Sequence, residues 1–313
     1  MMIKRLLTGG TLACVLAAGG CTKDQNEFIA DPGTDTVWVS QVTSSDVVTR
    51  LADTLSTPAP SSSVNLSTSD TVSSGGLQVY FTPGWQTASG TAVSGNATLS
   101  AILLQGPGSW IRNFVSTTYG GKPVHANEVM QVSFQSGSTT LQPTGVVFVT
   151  FPYNDGGIFE QDSLWGGTYA GGVLQWNNPI EYSYLSQSAT QISFATPQTG
   201  WLLYGMPLAD TVNTNAQLAV ALPNQFTNAN SAVFCWLKDY SSVVSLTGNY
   251  ASRTFIANNL PVGESATIVA LTLTGGLLYM GTKTVTLASG SQLVSVSSTI
   301  ETLPSVLAYL EQL

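Results

Sequence analysis

From residue 64 onward the chain repeats one pattern: a short apolar or alternating stretch, then Gly, Pro, Asn or Ser. Period-two alternation places successive side chains on opposite faces of a strand, so one face can be buried while the other meets water. Turn residues return roughly every 8–15 positions, the rhythm of an all-β sandwich. Leu77-Gln78-Val79-Tyr80-Phe81 stops at Pro83-Gly84, and Ala97 to Leu103 follows a Gly95-Asn96 turn and ends at Gly106-Pro107-Gly108. Val129 to Phe134 alternates again and turns at Ser136-Gly137-Ser138. Val146 to Phe151 is continuously apolar, which predicts a strand covered on both faces.

These segments predict a mainly β protein with two sandwich domains, at 64–153 and 191–298. Between them, 154–190 is rich in Gly and aromatic residues and reads as a hairpin and a connection. The second set runs through Gln191 to Ala195, Leu218 to Leu222, Ala232 to Leu237, Val243 to Leu246, Ser265 to Leu273 and Leu277 to Leu287. Thr274-Gly275-Gly276 supplies a tight hairpin turn between the last two. Two helices flank the sheets. Val47, Val48, Leu51 and Leu55 share one helical face, with Ser44 or Ser45 as cap, Asp46 at the positive end and Pro58 as the stop. This short helix at 45–56 leads into a Pro/Ser linker, and together they fill 45–63. Ile300, Leu303, Val306, Leu307 and Leu310 predict a closing amphipathic helix within 299–313.

The first twenty residues have another purpose. Lys4 and Arg5 precede an apolar stretch from Leu6 to Ala18, followed by Gly19-Gly20-Cys21. The stretch is too short to cross ~30 Å of hydrocarbon, so it reads as a secretory signal. Small residues before Cys21 resemble the recognition box of the lipoprotein signal peptidase, which makes residues 1–20 the removed signal and Cys21 the lipidated residue. Ala18 stands where that box usually has Leu. Cys14, inside the apolar core, is the poorer candidate, and the plain alternative for Cys21 is an ordinary thiol. Several acyl chains on one cysteine supply the two signals that stable anchoring needs. Residues 21–44 read as a flexible tether.

Charge and cysteine count exclude several functions. Charged residues make up 8% of the chain, against roughly 25% in ordinary soluble proteins. Lys4 and Arg5 leave with the signal, so seven of nine basic residues remain against seventeen acidic ones, a formal charge of −10. A surface of that sign repels phosphate backbones, and nucleic acid is excluded as a partner. With Cys14 removed and Cys21 acylated, Cys235 has no internal partner and reads as a buried, inert strand thiol. His125 is the single histidine, so sites needing two histidines are ruled out. It reads as a partly exposed loop residue. The sequence contains no Gly-x-Ser-x-Gly elbow, Cys-x-x-Cys pair, phosphate-binding Gly-rich loop or calcium loop. No catalytic residue, metal ligand or cofactor is assigned.

Two residue sets remain as candidates. Trp165, Tyr169, Trp176 and Tyr182 lie near Glu160, Asp162 and Glu181. Flat rings offer apolar area to a sugar face, and two carboxylates at a defined separation suffice for glycoside hydrolysis. Packing between two sandwiches is the simpler reading of the same rings. The second set is Asp-Ser/Thr-aliphatic, found at five of the ten Asp, where chance at this composition gives roughly one. It resembles the O-glycosylation acceptor of exported Bacteroidota proteins, which makes Thr36, Thr54, Thr71, Ser163 and Thr211 candidate acceptors. The alternative is Asp as a turn former beside strand-forming residues.

Several stretches also resemble a group of uncharacterised Bacteroidota outer-membrane lipoproteins. They are Val79-Tyr80-Phe81-Thr82-Pro83, Ala88 to Asn96, Thr117 to Val124, Thr199-Gly200-Trp201, Pro261 to Leu271 and Tyr279 to Lys283. Lys23-Asp24 after Cys21 resembles that phylum's surface-export signal. The chain departs from the group at Ala126-Asn127-Glu128, where Gly-Gly-Glu is common, and at Leu202-Leu203-Tyr204, where Asn-x-Asp is usual. The resemblance implies two Ig-like sandwiches, the first distantly similar to ZU5 domains. It also implies an outer-membrane address, cell-surface facing or else periplasm facing, and no particular activity. The expected role is non-catalytic binding or scaffolding at the envelope, with a membrane, a glycan or an envelope protein as partner. The alternatives are a capture module of a surface nutrient-uptake system and, more remotely, a carboxylate-based glycoside hydrolase.

Overall fold

A computed structural model describes residues 37–153, 162–170, 173–181, 184–188 and 190–313. The segment from Asp35 to Leu313 forms one compact unit. Its first half carries helix α1 (Val47–Leu55) and strands β1 (Ser61–Asn65), β2 (Asp70–Ser74), β3 (Leu77–Phe81), β4 (Trp85–Thr87), β5 (Ala92–Val93) and β6 (Asn96–Leu104). Helix α2 (Gly106–Arg112) comes next, then β7 (Thr118–Tyr119), β8 (Lys122–Ser136), β9 (Thr139–Pro143) and β10 (Val147–Pro152). Strands β11 (Ser163–Ala170), β12 (Val173–Ile180), β13 (Tyr184–Gln187), β14 (Gln191–Thr196) and β15 (Gly200–Pro207) complete it.

Alternation sorts these strands into two facing sheets. In β3, Leu77, Val79 and Phe81 are buried while Gln78 and Tyr80 point outward. A five-stranded sheet in the order β13-β14-β10-β3-β2 faces a larger one, whose path β12-β11-β15-β8-β9-β4-β5 also takes in β1, β6 and β7. Between them Val79, Phe81, Trp85, Phe134, Val149, Phe151 and Phe194 form the first core.

The second half contains β16 (Ala216–Ala221), β17 (Ser231–Leu237), β18 (Ser242–Asn249), β19 (Thr254–Leu260), β20 (Ser265–Thr274), β21 (Leu277–Thr286), β22 (Gly290–Ser295) and β23 (Thr299–Glu301), then helix α3 (Leu303–Leu310). All eight strands form one continuous sheet. It folds over at β18, whose residues 242–246 pair with β17 while 247–249 pair with β19. The folded sheet encloses Leu218, Val220, Cys235, Leu246, Phe255 and Ile268.

A third core joins the halves. The outer face of the larger first sheet contributes Val124, Val129, Trp165 and Leu203, and the second half contributes Phe234, Val243, Val269 and Leu271. The helices add Leu51, Leu55, Trp110, Ile111, Val306 and Leu310. Hydrogen bonds fix this docking. The Thr117 N–H donates to the Val243 carbonyl (2.7 Å), and the Val243 N–H donates to Thr117 Oγ1 (2.8 Å).

The mainly β sandwich fold with its C-terminal helix agrees with expectation, and the details correct several boundaries. Strands β14 and β15, assigned to the second sandwich from sequence, belong to the sheets of the first. The hairpin expected within 154–190 is β11–β12, and it extends the larger sheet of the first half; residues 154–161 lie outside the described residues. Alternation reports a buried face and not the sheet that supplies it. Strand β10 is covered on one face only: Phe148 and Thr150 are half-exposed. Strands β6, β8, β11 and β15 are the ones covered on both faces in the first half, feeding the first and third cores from opposite sides. Asp46, and not Ser44 or Ser45, occupies the N-cap position of α1, but its side chain makes no capping bond; the carboxylate accepts from the Thr43 N–H (2.6 Å) in the turn before the helix. At the C-terminus, Ile300 lies on β23, and α3 starts after Thr302, whose hydroxyl accepts from the Ser305 N–H. Helix α2 forms where Gly106-Pro107-Gly108 predicts only the end of a strand. Among the described residues no helix is long and apolar enough to cross a membrane.

Candidate functional site

The body begins earlier than the expected tether end at residue 44. Trp38 is buried against Phe255, with ring centroids 5.2 Å apart. The side-chain amide of Asn228 bonds both backbone groups of Val39: it accepts from the N–H at 3.0 Å and donates to the carbonyl at 2.7 Å. One aromatic anchor and a paired amide latch the incoming chain to the second sandwich. Cys21 and Thr36 lie outside the described residues.

The four candidate aromatics do not form one open face. Trp165 is 1% exposed and packs in the third core, 6.1 Å from the Tyr119 ring. Trp176 is 6% exposed, and its indole N–H donates to the Ser116 carbonyl at 2.6 Å. Tyr169, on the same hairpin, is 59% exposed; Tyr182 lies outside the described residues. The reading of Trp165 and Trp176 as ligand contacts is therefore corrected. They are buried because the second half and the helices cover the face of the sheet that carries them. The nearby acids also separate: Asp162 is buried, Glu181 is exposed, and Glu160 lies outside the described residues. Of the candidate glycan acceptors, Thr54, Thr71 and Thr211 are exposed, whereas Ser163 is half-buried on β11.

A polar group with no assigned role in the sequence sits at a bulge in β8. Tyr204 pairs with Glu128 and Gly205 with Ala126, so Asn127 is the extra residue. Bulges re-aim side chains. Here the Asn127 amide donates to Asp162 Oδ2 at 3.3 Å. Glu128 is 9% exposed, and its Oε2 has no hydrogen-bond partner. Burial pushes its carboxyl up to about 8, outweighing the lowering by a hydrogen bond with Gln105. At neutral pH this is chiefly a carboxylic acid, able to donate a proton or a hydrogen bond. His125 lies on β8 and not in a loop; it is half-buried, with Nδ1 enclosed and unbonded. Nothing in the local sequence around Glu128 separates a buried acid from a solvated one. Among the described residues no group of three or more His, Cys, Asp or Glu could hold a metal.

Cys235 is fully buried on β17. Desolvation first, and the Glu264 charge second, push its thiol up to about 12. An aromatic disulfide reagent is expected to leave Cys235 unmodified in the folded protein and to label it fully in denaturant. Rapid labelling without denaturant would contradict this burial. No protein-family model matches the chain, and no curated protein matches it.

Proposed function

We propose that this chain is a lipid-anchored cell-envelope protein of the outer membrane with a non-catalytic binding or scaffolding role. Cys21 would carry the lipid, and the double sandwich would be the working body. The observation that carries this reading is the continuity from signal to latch. A lipobox-like Cys21 is followed by a short polar stretch, and the chain then locks onto the body at Trp38 and Val39. Fully extended, the residues between Cys21 and Trp38 reach no more than about 60 Å. A rigid body on a tether of that length samples only the space next to its membrane.

The capture-module reading remains the second proposal, without the buried rings of Trp165 and Trp176. Whether the anchor faces the cell surface or the periplasm belongs to the same proposal. Cys21→Ser tests the anchor. Wild-type protein should incorporate labelled palmitate and partition into the detergent phase, whereas the variant should lose the label and appear in the aqueous phase. A variant that keeps both label and membrane association would refute lipidation at Cys21.

A further inference from the structure

The outer face of the five-stranded sheet is ordered into two chemically distinct rows. Register aligns Thr71 with Tyr80 and Tyr80 with Phe148. One step along, it aligns Ser73 with Gln78, Gln78 with Thr150, Thr150 with Ser193, and Ser193 with Ser186. The first row holds an aromatic pair, with ring centroids 5.7 Å apart and Tyr80 38% exposed. The second row is wholly uncharged hydroxyl and amide. Neighbouring strands lie ~4.8 Å apart, so polar groups recur along this row at about the scale of one sugar ring.

The polar row runs into a groove of about 440 Å³ lined by Ser73, Gln78, Thr150, Pro152 and Gln191. That volume lies in the range of small-ligand sites, roughly 300–1,000 Å³. The groove's rim is closely packed. Gly75 and Gly76 turn with φ of +54° and +84°, and a Cβ on Gly75 would lie 2.2 Å from the Ala101 carbonyl oxygen of β6. The turn is thus pressed against the neighbouring sheet. The amides of Gln78 and Gln191 are exposed and make no side-chain hydrogen bond among the described residues.

We propose that this face binds a neutral oligosaccharide, with the Tyr80 ring stacking on one sugar and Gln78, Gln191, Thr150 and Ser73 bonding its hydroxyls. An exposed ring beside amides and hydroxyls on a preformed sheet matches a ligand that is apolar on one side and hydroxylated at its rim. The rows carry no charge, and the acidic chain as a whole disfavours anionic polymers. A protein partner would call for a broader apolar centre; Tyr80 is the one large hydrophobic side chain exposed on these rows among the described residues. The assignment names a ligand class for the binding role proposed above and rests on that reading.

The test is affinity electrophoresis of the full detergent-solubilised chain in gels containing soluble β-glucan, α-glucan, mannan, galactan or xylan, with polygalacturonate as the charged comparator. At least one neutral polysaccharide should retard the wild type. Tyr80→Ala and Gln78→Ala should each weaken that retardation about tenfold while the protein stays folded at the assay temperature, and Tyr250→Ala, an exposed ring on the second half, should leave it intact. No retardation by any neutral polymer, retardation by polygalacturonate alone, or retardation that survives both substitutions would overturn the proposal. The Cys21→Ser partition assay does not involve this face, so failure here leaves the anchor reading standing, and the reverse holds too.

Discussion

Glu128→Gln should stabilise the protein at pH 9 and leave it nearly unchanged at pH 4. The cause is the difference between one carboxyl folded and unfolded. In the open chain it titrates near 4.5, and in the fold at about 8. Below the lower value both states hold the proton, and the group makes no difference to folding. As pH rises through the window between them, the unfolded chain releases the proton while the folded chain keeps it. Folding then becomes steadily less favourable, and the loss levels off above about 8. A shift of that size corresponds to roughly 5 kcal/mol, a large part of the ~5–15 kcal/mol that holds a typical domain together.

Glutamine keeps the shape and hydrogen-bonding capacity of the acid but cannot ionise. Asp162 and His125 along the bulge, and Tyr204 across it, are present in both proteins and cancel in the comparison. So does the general repulsion of an acidic surface. Urea midpoints of wild type and variant at pH 4 and pH 9 give the readout. Parallel losses of stability in the two proteins would show that the Glu128 carboxyl is not responsible.

Gly108→Ala should loosen the C-terminal helix and cost about 3–5 kcal/mol. A Cβ on Gly108 would lie 1.7 Å from the Leu310 carbonyl oxygen and 2.5 Å from its carbon. Both are backbone atoms, so no side-chain rotation relieves the overlap. Either α2 or α3 must move. Overpacking costs ~1–3 kcal/mol, and lifting α3 also exposes part of Val306 and Leu310, each worth about 1.5–3 kcal/mol when fully buried. The third core is built partly from these side chains, so the two halves should lose contact as well. A melting temperature equal to that of wild type would mean the helices do not approach this closely. A large drop, with new proteolytic cleavage after residue 300, is the expected result.

Both predictions concern features that local sequence does not display, and that marks the division between what sequence and tertiary structure decided. Local physics was legible. Leu77, Val79 and Phe81 announce a half-buried strand because the strand period is two. Val47, Leu51 and Leu55 announce α1 because the helical period is 3.6, and all three are buried. The Thr274–Leu277 pairing closes the hairpin that Gly275-Gly276 implied. Cys235 was readable as buried from the apolar run around it.

Partnership was not legible. The assignment of β14 and β15 to the first sandwich depends on pairing with β10 and β8, dozens of residues away. An aromatic-rich hairpin looks the same whether solvent or a second sheet faces it. Only the docking of the second half and three helices put Trp165 and Trp176 inside. Glu128 is an ordinary acid in the sequence, and only the packing of strands distant along the chain buries it and, by desolvation, pushes its carboxyl up to about 8. The two rows on the five-stranded sheet exist only because strand register aligns residues that the chain keeps far apart. Periodicity is a property of neighbours along the chain, whereas burial of a second face, the ionisation of a carboxyl and the make-up of a binding surface depend on neighbours in space.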